Sequence, residues 1–290
     1  MFEPLEYQFF VRGLIAATTA GALCGLIGVY IVLRRMSYIG HGLSHAVFGG
    51  AVVSYVMSFN FYVGASLWGF GSALLINATT KRRKFIAPDA AIGIVTTASF
   101  ALGVALISRY RTFTRSFDAA LFGNILGVTR NDLIAIGVVA ALTLAIVLVM
   151  YRRLLFTTFD PEVAQFYGVP TEWVDALFSL ILAGTIVVCM QVLGVTLIAA
   201  AIVIPPVTAR LLTDNFSRLM ILSVAIGAGC GLVGMYASYY VDVSSGANIV
   251  LVAAIAFMAA MAYSGLRNRL ATGRGLAPKP AAAPDGAIFE

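Results

Sequence analysis

The feature that most constrains this chain recurs along its length. Apolar stretches of about 20 residues, enough to cross a bilayer as a helix, are each closed by a basic or polar break. The first covers 14–33 and ends at Arg34-Arg35. Others cover 62–78, closed by Lys81-Arg82-Arg83-Lys84, then 90–107, and 133–150, closed by Tyr151-Arg152-Arg153. Four more lie at 173–190, 193–211, 219–240 and 247–266. With a helix rising after Arg35, the count is eight or nine spans and no internal repeat is evident. The expected fold is an all-α polytopic membrane protein, because a helix satisfies its own backbone hydrogen bonds where water cannot.

Composition supports this. Hydrophobic residues make up 60% of the chain and charged residues 11%, against about 25% charged in soluble domains. The net charge of +6 comes from basic residues at the ends of apolar stretches, where the positive-inside rule expects cytoplasmic anchors. It predicts contact with a lipid bilayer and no nucleic-acid partner. The same rule places the N-terminus outside and the C-terminus, after Arg267, Arg269 and Arg274, in the cytoplasm. The start, Met1-Phe2-Glu3-Pro4-Leu5-Glu6, is acidic where a cleavable signal would be basic. Cys24, Cys189 and Cys230 lie apart within apolar segments and read as small hydrophobes. One membrane domain is expected over 1–275, with a disordered Ala- and Pro-rich tail over 276–290. Only 109–130 breaks the pattern. Arg109, Arg111 and Arg115 fall outside on this count, and 117–128 is too short and glycine-broken to span, so it reads as re-entrant or interfacial.

Both of the chain's histidines, His41 and His45, stand four residues apart in the helix after Arg35. On a helix that spacing puts two imidazoles on one face, a turn apart. Ionisable groups at such depth are costly and are kept mainly for function. An imidazole pair suits a divalent transition metal. The competing reading is that each ring only hydrogen-bonds a neighbouring helix. The spacing also matches the zinc-protease signature, but Gly42 stands near where that motif needs its glutamate base, which argues against a hydrolase. Tyr38 and Ser44 are candidates to orient the imidazoles, with helix packing the blander alternative. Asn124, in the broken segment, is a candidate for the path or for a turn.

A polar interruption at 157–170 carries its own start and stop signals. Asp160 is a good N-cap with Pro161 at the first helical position, and Gly168 is placed to end the helix before Pro170. The prediction is a short cytoplasmic helix at about 159–169 that docks on something. Further on, Pro205 and Pro206 remove two helix hydrogen bonds and predict a break or kink that could serve gating. No P-loop is present: the lysines are Lys81, Lys84 and Lys279, none in a Gly-x4-Gly-Lys-Ser/Thr context.

Several motifs, taken in order, resemble the permease subunit of the metal-ion ABC importers, which take up zinc, manganese or ferrous iron in bacteria. They are Leu33-Arg34-Arg35-Met36-Ser37-Tyr38-Ile39-Gly40, Leu43-Ser44-His45-Ala46, Ala91-Ile92-Gly93-Ile94-Val95, Leu121-Phe122-Gly123-Asn124-Ile125-Leu126-Gly127, Phe159-Asp160-Pro161-Glu162 and Ile204-Pro205-Pro206-Val207-Thr208-Ala209-Arg210-Leu211-Leu212. The resemblance covers nearly all of 8–266. It implies a homodimeric permease with no permanently bound cofactor, Zn²⁺ or Mn²⁺ (or Fe²⁺) as transported substrate, a cytoplasmic ATPase dimer, and an extracellular metal-binding protein. It implies that His45 lines the metal path. His41 stands where this family has an aspartate, a departure that makes the site softer and tilts it slightly towards Zn²⁺. It further implies that Asp160, Glu162, Ala164 and Gly168 couple the permease to the ATPase. The chain is expected not to be an enzyme. The rival readings are a permease for siderophores or other metal chelates, a proton-coupled secondary transporter, which would want acidic residues within spans, and an intramembrane metalloenzyme.

Overall fold

The computed structural model describes residues 3–82, 88–110, 121–123 and 125–273. Eleven helices are found among them: α1 (Gln8–Leu33), α2 (Ser37–Val56), α3 (Phe61–Arg82), α4 (Pro88–Tyr110), α5 (Arg130–Val149), α6 (Tyr151–Phe159), α7 (Pro161–Phe166), α8 (Thr171–Leu193), α9 (Ile198–Leu212), α10 (Phe216–Val241) and α11 (Ser245–Gly273). Short 3-10 turns occupy Glu3–Glu6 and Ile125–Gly127. Among the described residues there is no strand.

Seven of the helices, α1, α3, α4, α5, α8, α10 and α11, are long and apolar enough to cross a membrane. The protein is a multi-pass membrane protein. α9, at 15 residues, is a shorter apolar helix. α2 has the length but not the hydropathy, since it carries both histidines and three serines. It is sheltered instead: α3, α4, α8 and α9 pack around it, and its Ser44 and Ser54 are almost wholly buried. With α2 and α9 the bundle has nine such helices among the described residues, in keeping with the eight or nine expected from the sequence.

α1 and α8 form the interior, while α5 and α11 expose most of their surface. The packing of α1 against α10 is set by small residues. Gly21 abuts the backbone of Gly227, Gly25 that of Ser223, and Gly231 that of Ala17, so both helices present a small residue every four positions. In a bilayer no hydrophobic force separates helix from lipid, and such close backbone approach is what drives association. The Ser223 hydroxyl adds a hydrogen bond to the Gly25 carbonyl (2.7 Å).

The helix ends follow from local chemistry. Thr129 and Asp132 form a reciprocal capping box on α5. Asn215 caps α10, and Asp242 closes it in a left-handed conformation. At α9 the expectation was a break or a kink, and a break is not found. The helix runs unbroken through Pro205 and Pro206. The Ile202 carbonyl, which Pro206 leaves without a helical donor, packs against Gly28 of α1. The interruption falls earlier, at Gly194, with φ +79°. There Gly194 meets the backbone of Leu121, Phe122 and Gly123, which is itself at φ +79°, and Thr196 bonds the Leu121 carbonyl through both its amide (3.3 Å) and its hydroxyl (2.8 Å). The glycine-broken segment thus abuts a second helix break, where its carbonyls find donors. The tail over 276–290, and Asn124, lie outside the described residues.

The close approach of α1 and α10 predicts a contrast on one helix. A methyl group at Gly227 would meet the Gly21 carbonyl, whereas one at Gly229 meets open space. Gly227→Ala is expected to cost about 2 kcal/mol, lowering the melting temperature in detergent by about 5 °C, and Gly229→Ala to leave it unchanged. Equal melting temperatures would contradict the packing.

Candidate functional site

The second and third turns of α2 bring the two imidazoles together. The His41 and His45 ring centroids lie 4.6 Å apart, edge to face. Both residues are half-buried. His45 is flanked by the Phe100 ring of α4 at 4.9 Å, and its Nδ1 is buried with no hydrogen-bond partner among the described residues. Such a lone pair, desolvated and unspent, suits a ligand for a metal ion or a proton.

Of the two readings of Ser44, the structure shows the packing one. Its hydroxyl is directed at the His41 carbonyl (2.7 Å) and the Val195 carbonyl (3.2 Å), joining α2 to the break between α8 and α9. It holds the helix, not the rings. Tyr38 is half-exposed, with its ring 5.8 Å from that of His41. Gly42 packs so tightly on Ile92 and Thr96 of α4 that a side chain has no room there. A glutamate base for a protease is therefore ruled out by space as well as by sequence. No group of three or more His, Cys, Asp or Glu able to hold a metal occurs among the described residues, so the imidazole pair stands without a carboxylate.

The capped helix expected from the sequence is found as α7. Asp160 accepts from the Val163 amide (2.9 Å). Gly168 sits at φ +79°, and the Val169 amide reaches back to the Ala164 carbonyl (3.0 Å), the bond pattern of a glycine-closed helix end. Asp160, Glu162 and Gly168 are exposed, while Ala164 is buried and seats the helix. Pro205 and Pro206 are buried inside α9.

Sequence reading placed Arg34 only as a membrane anchor. The structure joins it to Asp175. Arg34 Nη1 donates to Asp175 Oδ1 (2.8 Å), Nη2 to the Thr157 hydroxyl (3.1 Å) and Nε to the Thr158 hydroxyl (3.1 Å). Its guanidinium lies 4.7 Å from the centre of the Phe178 ring. The side chain is only 9% exposed. A carboxylate in the first turns of an otherwise apolar span was the available clue to this partner.

An all-helical membrane bundle that encloses a polar helix and projects a short capped helix from one end has the architecture of a transport permease. The chain belongs to the ABC 3 transport family, whose profile matches residues 6–264, and so to the metal-ion ABC importer permeases that its motifs resemble. A relative from Listeria monocytogenes, named manganese transport system membrane protein MntC, is 36% identical over 260 residues, covering 90% of this chain and 92% of its own. One from Haemophilus influenzae, named "Probable iron transport system membrane protein", is 33% identical over 269 residues, covering 93% and 98%. The solved structure of PsaBC from Streptococcus pneumoniae in complex with Fab superposes with a TM-score of 0.80 at 32% identity, covering 88% of this chain and 92% of that one.

The paired imidazoles give a pH prediction with a definite sign. Metal binds neutral imidazole, so protons compete with it. Affinity of the purified permease for Zn²⁺, read by calorimetry, should fall as pH is lowered, with two protons competing per chain. In His41→Asp one imidazole is gone, so the slope should fall to about one proton. An unchanged slope would remove His41 from the site.

Proposed function

We propose that this chain is the membrane-spanning subunit of an ATP-driven importer of a divalent first-row transition metal ion. The observation that carries this reading is the imidazole pair in a sheltered polar helix, with a buried ring nitrogen available to a ligand. In the proposed assembly two copies form the path, each lining it with His41 and His45. A closed structural zinc site takes four protein ligands. Two per chain, joined by two from the second copy only when the path narrows, suit an ion that must bind and then leave.

ATP hydrolysis is assigned to a cytoplasmic ATPase dimer, since the chain has no P-loop. α7 is its docking element, with Asp160 and Gly168 fixing the shape of the helix, Ala164 its seat and Glu162 its exposed charge. The surface around it supports that role. Phe166 is 87% exposed, Tyr167 72% and Trp173 57%, an apolar patch of the kind that marks a protein contact. A metal-binding protein would deliver the ion from outside. The proposed orientation follows the basic clusters, with the N-terminus outside and the C-terminus in the cytoplasm of a bacterial cell. Pro205 and Pro206, which remove two hydrogen bonds from an α9 that stays continuous beside α1, are assigned to gating.

Two observations bear on the cargo. The relatives described above are named for manganese and iron, whereas His41 in place of a carboxylate softens the donor set towards Zn²⁺. The deciding experiment measures ATPase activity of the complete complex (permease, ATPase and binding protein) with Mn²⁺, Fe²⁺ and Zn²⁺. One metal should stimulate hydrolysis, and His41→Ala/His45→Ala should reduce that stimulation by about 10-fold or more. Stimulation that survives the double substitution would sink the assignment of the path to these histidines. Stimulation by a metal chelate in place of the free ion would favour the chelate-permease reading.

A further inference from the structure

We propose that Arg34 is a positioning residue that locks the base of the docking helix to the helix carrying the histidines, so that movement of one is delivered to the other. The inference rests on the importer reading above and names the residue through which it would be coupled.

Arg34 stands at the end of α1, three residues before Ser37 opens α2. The turn between them has little slack. The Arg34 amide bonds Tyr30 (2.9 Å), Arg35 bonds Val32 (3.1 Å), Met36 bonds Ile31 (3.0 Å) and Ile39 bonds Met36 (2.9 Å). Arg35 takes a left-handed conformation, φ +56°, to make it. A displacement at Arg34 therefore reaches the first turn of α2, and His41 lies on the next.

On its other side Arg34 grips both flanks of α7. Thr157 and Thr158 belong to the last turn of α6, immediately before the Asp160 cap, and Asp175 belongs to α8, which follows α7. One planar fork thus spans the base of the helix that docks, using three of its five donors on three separate acceptors. Phe178, one turn beyond Asp175, covers the guanidinium. Arg35 provides the contrast. It is exposed and serves as a plain cytoplasmic anchor, while Arg34 is turned inward and withdrawn from water. A membrane anchor would have snorkelled to the interface.

The test uses the complete complex in proteoliposomes, comparing Arg34→Met, Arg34→Lys and Asp175→Asn with the unaltered chain. The readouts are basal ATPase activity, metal-stimulated ATPase activity and metal imported per ATP hydrolysed. Arg34→Met should keep basal hydrolysis but lower metal stimulation and metal per ATP by about 10-fold. Arg34→Lys keeps a charge but not a fork, so it should lose about 3-fold, as should Asp175→Asn. Adding Asp175→Asn to Arg34→Met should cause no further loss. A merely structural role would lower basal and stimulated rates together, leaving metal per ATP unchanged, and would overturn the proposal. Should Arg34→Met fail to assemble, Asp175→Asn, nearly isosteric, decides it: normal metal per ATP in that variant also overturns it. If the unaltered complex shows no metal stimulation, the importer reading itself falls, and the coupling with it.

Discussion

Hydrocarbon offers a buried polar group no partner, and every unusual feature of this molecule answers to that constraint. α2 carries His41, Ser44, His45 and Ser54 within the helix bundle, Ser44 and Ser54 almost wholly buried. The shelter is a wall of helices that come close because glycine lets them. Gly42 and Gly49 admit α4 to contact, and Gly50 admits Trp68 of α3. Ser54 spends its hydroxyl on the Gly50 carbonyl (2.9 Å) and Ser44 on carbonyls at its own turn and at the neighbouring break. His45 Nδ1 is left with none. The contrast with Ser44 and Ser54, whose hydroxyls are both spent on carbonyls, is what directs the proposed function to that nitrogen.

Much of this was legible in the sequence because period and composition report directly on solvent. Long apolar stretches with basic ends are spans, and the four-residue spacing of His41 and His45 sets their rings side by side. The α7 helix was readable from Asp160, Pro161 and Gly168 because caps are local chemistry, set by residues within one turn. What failed depends on neighbours distant in sequence. Pro205 and Pro206 predict a break from local hydrogen bonding alone. Yet the Ile202 carbonyl that Pro206 leaves without a helical donor lies against Gly28, and α9 stays continuous. The true break at Gly194 takes its backbone partners from 121–123, some seventy residues away in the chain. Thr157 and Thr158 read as loop because they are polar, but they end α6 and face a guanidinium.

Arg34 shows why a correct rule can give an incomplete answer. The positive-inside rule accounts for Arg34 and Arg35 equally, since it counts charge near an interface and takes no account of direction. The structure separates them by direction. Arg35 faces out and Arg34 faces in, with side-chain exposures for Arg34 and Asp175 of 9% and 24%. A partly buried ion pair of this kind is weak evidence for stability, because desolvation offsets most of the attraction. Its use lies in geometry: three acceptors from two helices fixed to one planar group.

In the proposed site, His41 in place of the carboxylate that the family resemblance implies would change how strongly one copy of the chain holds an ion. An aspartate and a histidine bring a full negative charge to a divalent cation, which compensates part of the desolvation that the membrane interior imposes. Two neutral imidazoles bring only lone pairs. No third His, Cys, Asp or Glu is grouped beside them among the described residues. Affinity then depends on the second copy bringing its own pair, so in the proposed dimer binding strength is set by how closely the two α2 helices approach. That ties retention and release of the ion to the same helix movement that the turn at Arg34 is placed to deliver. A carboxylate site would keep some grip on the ion whichever way the dimer faced, whereas an all-imidazole site lets go when the pairs separate.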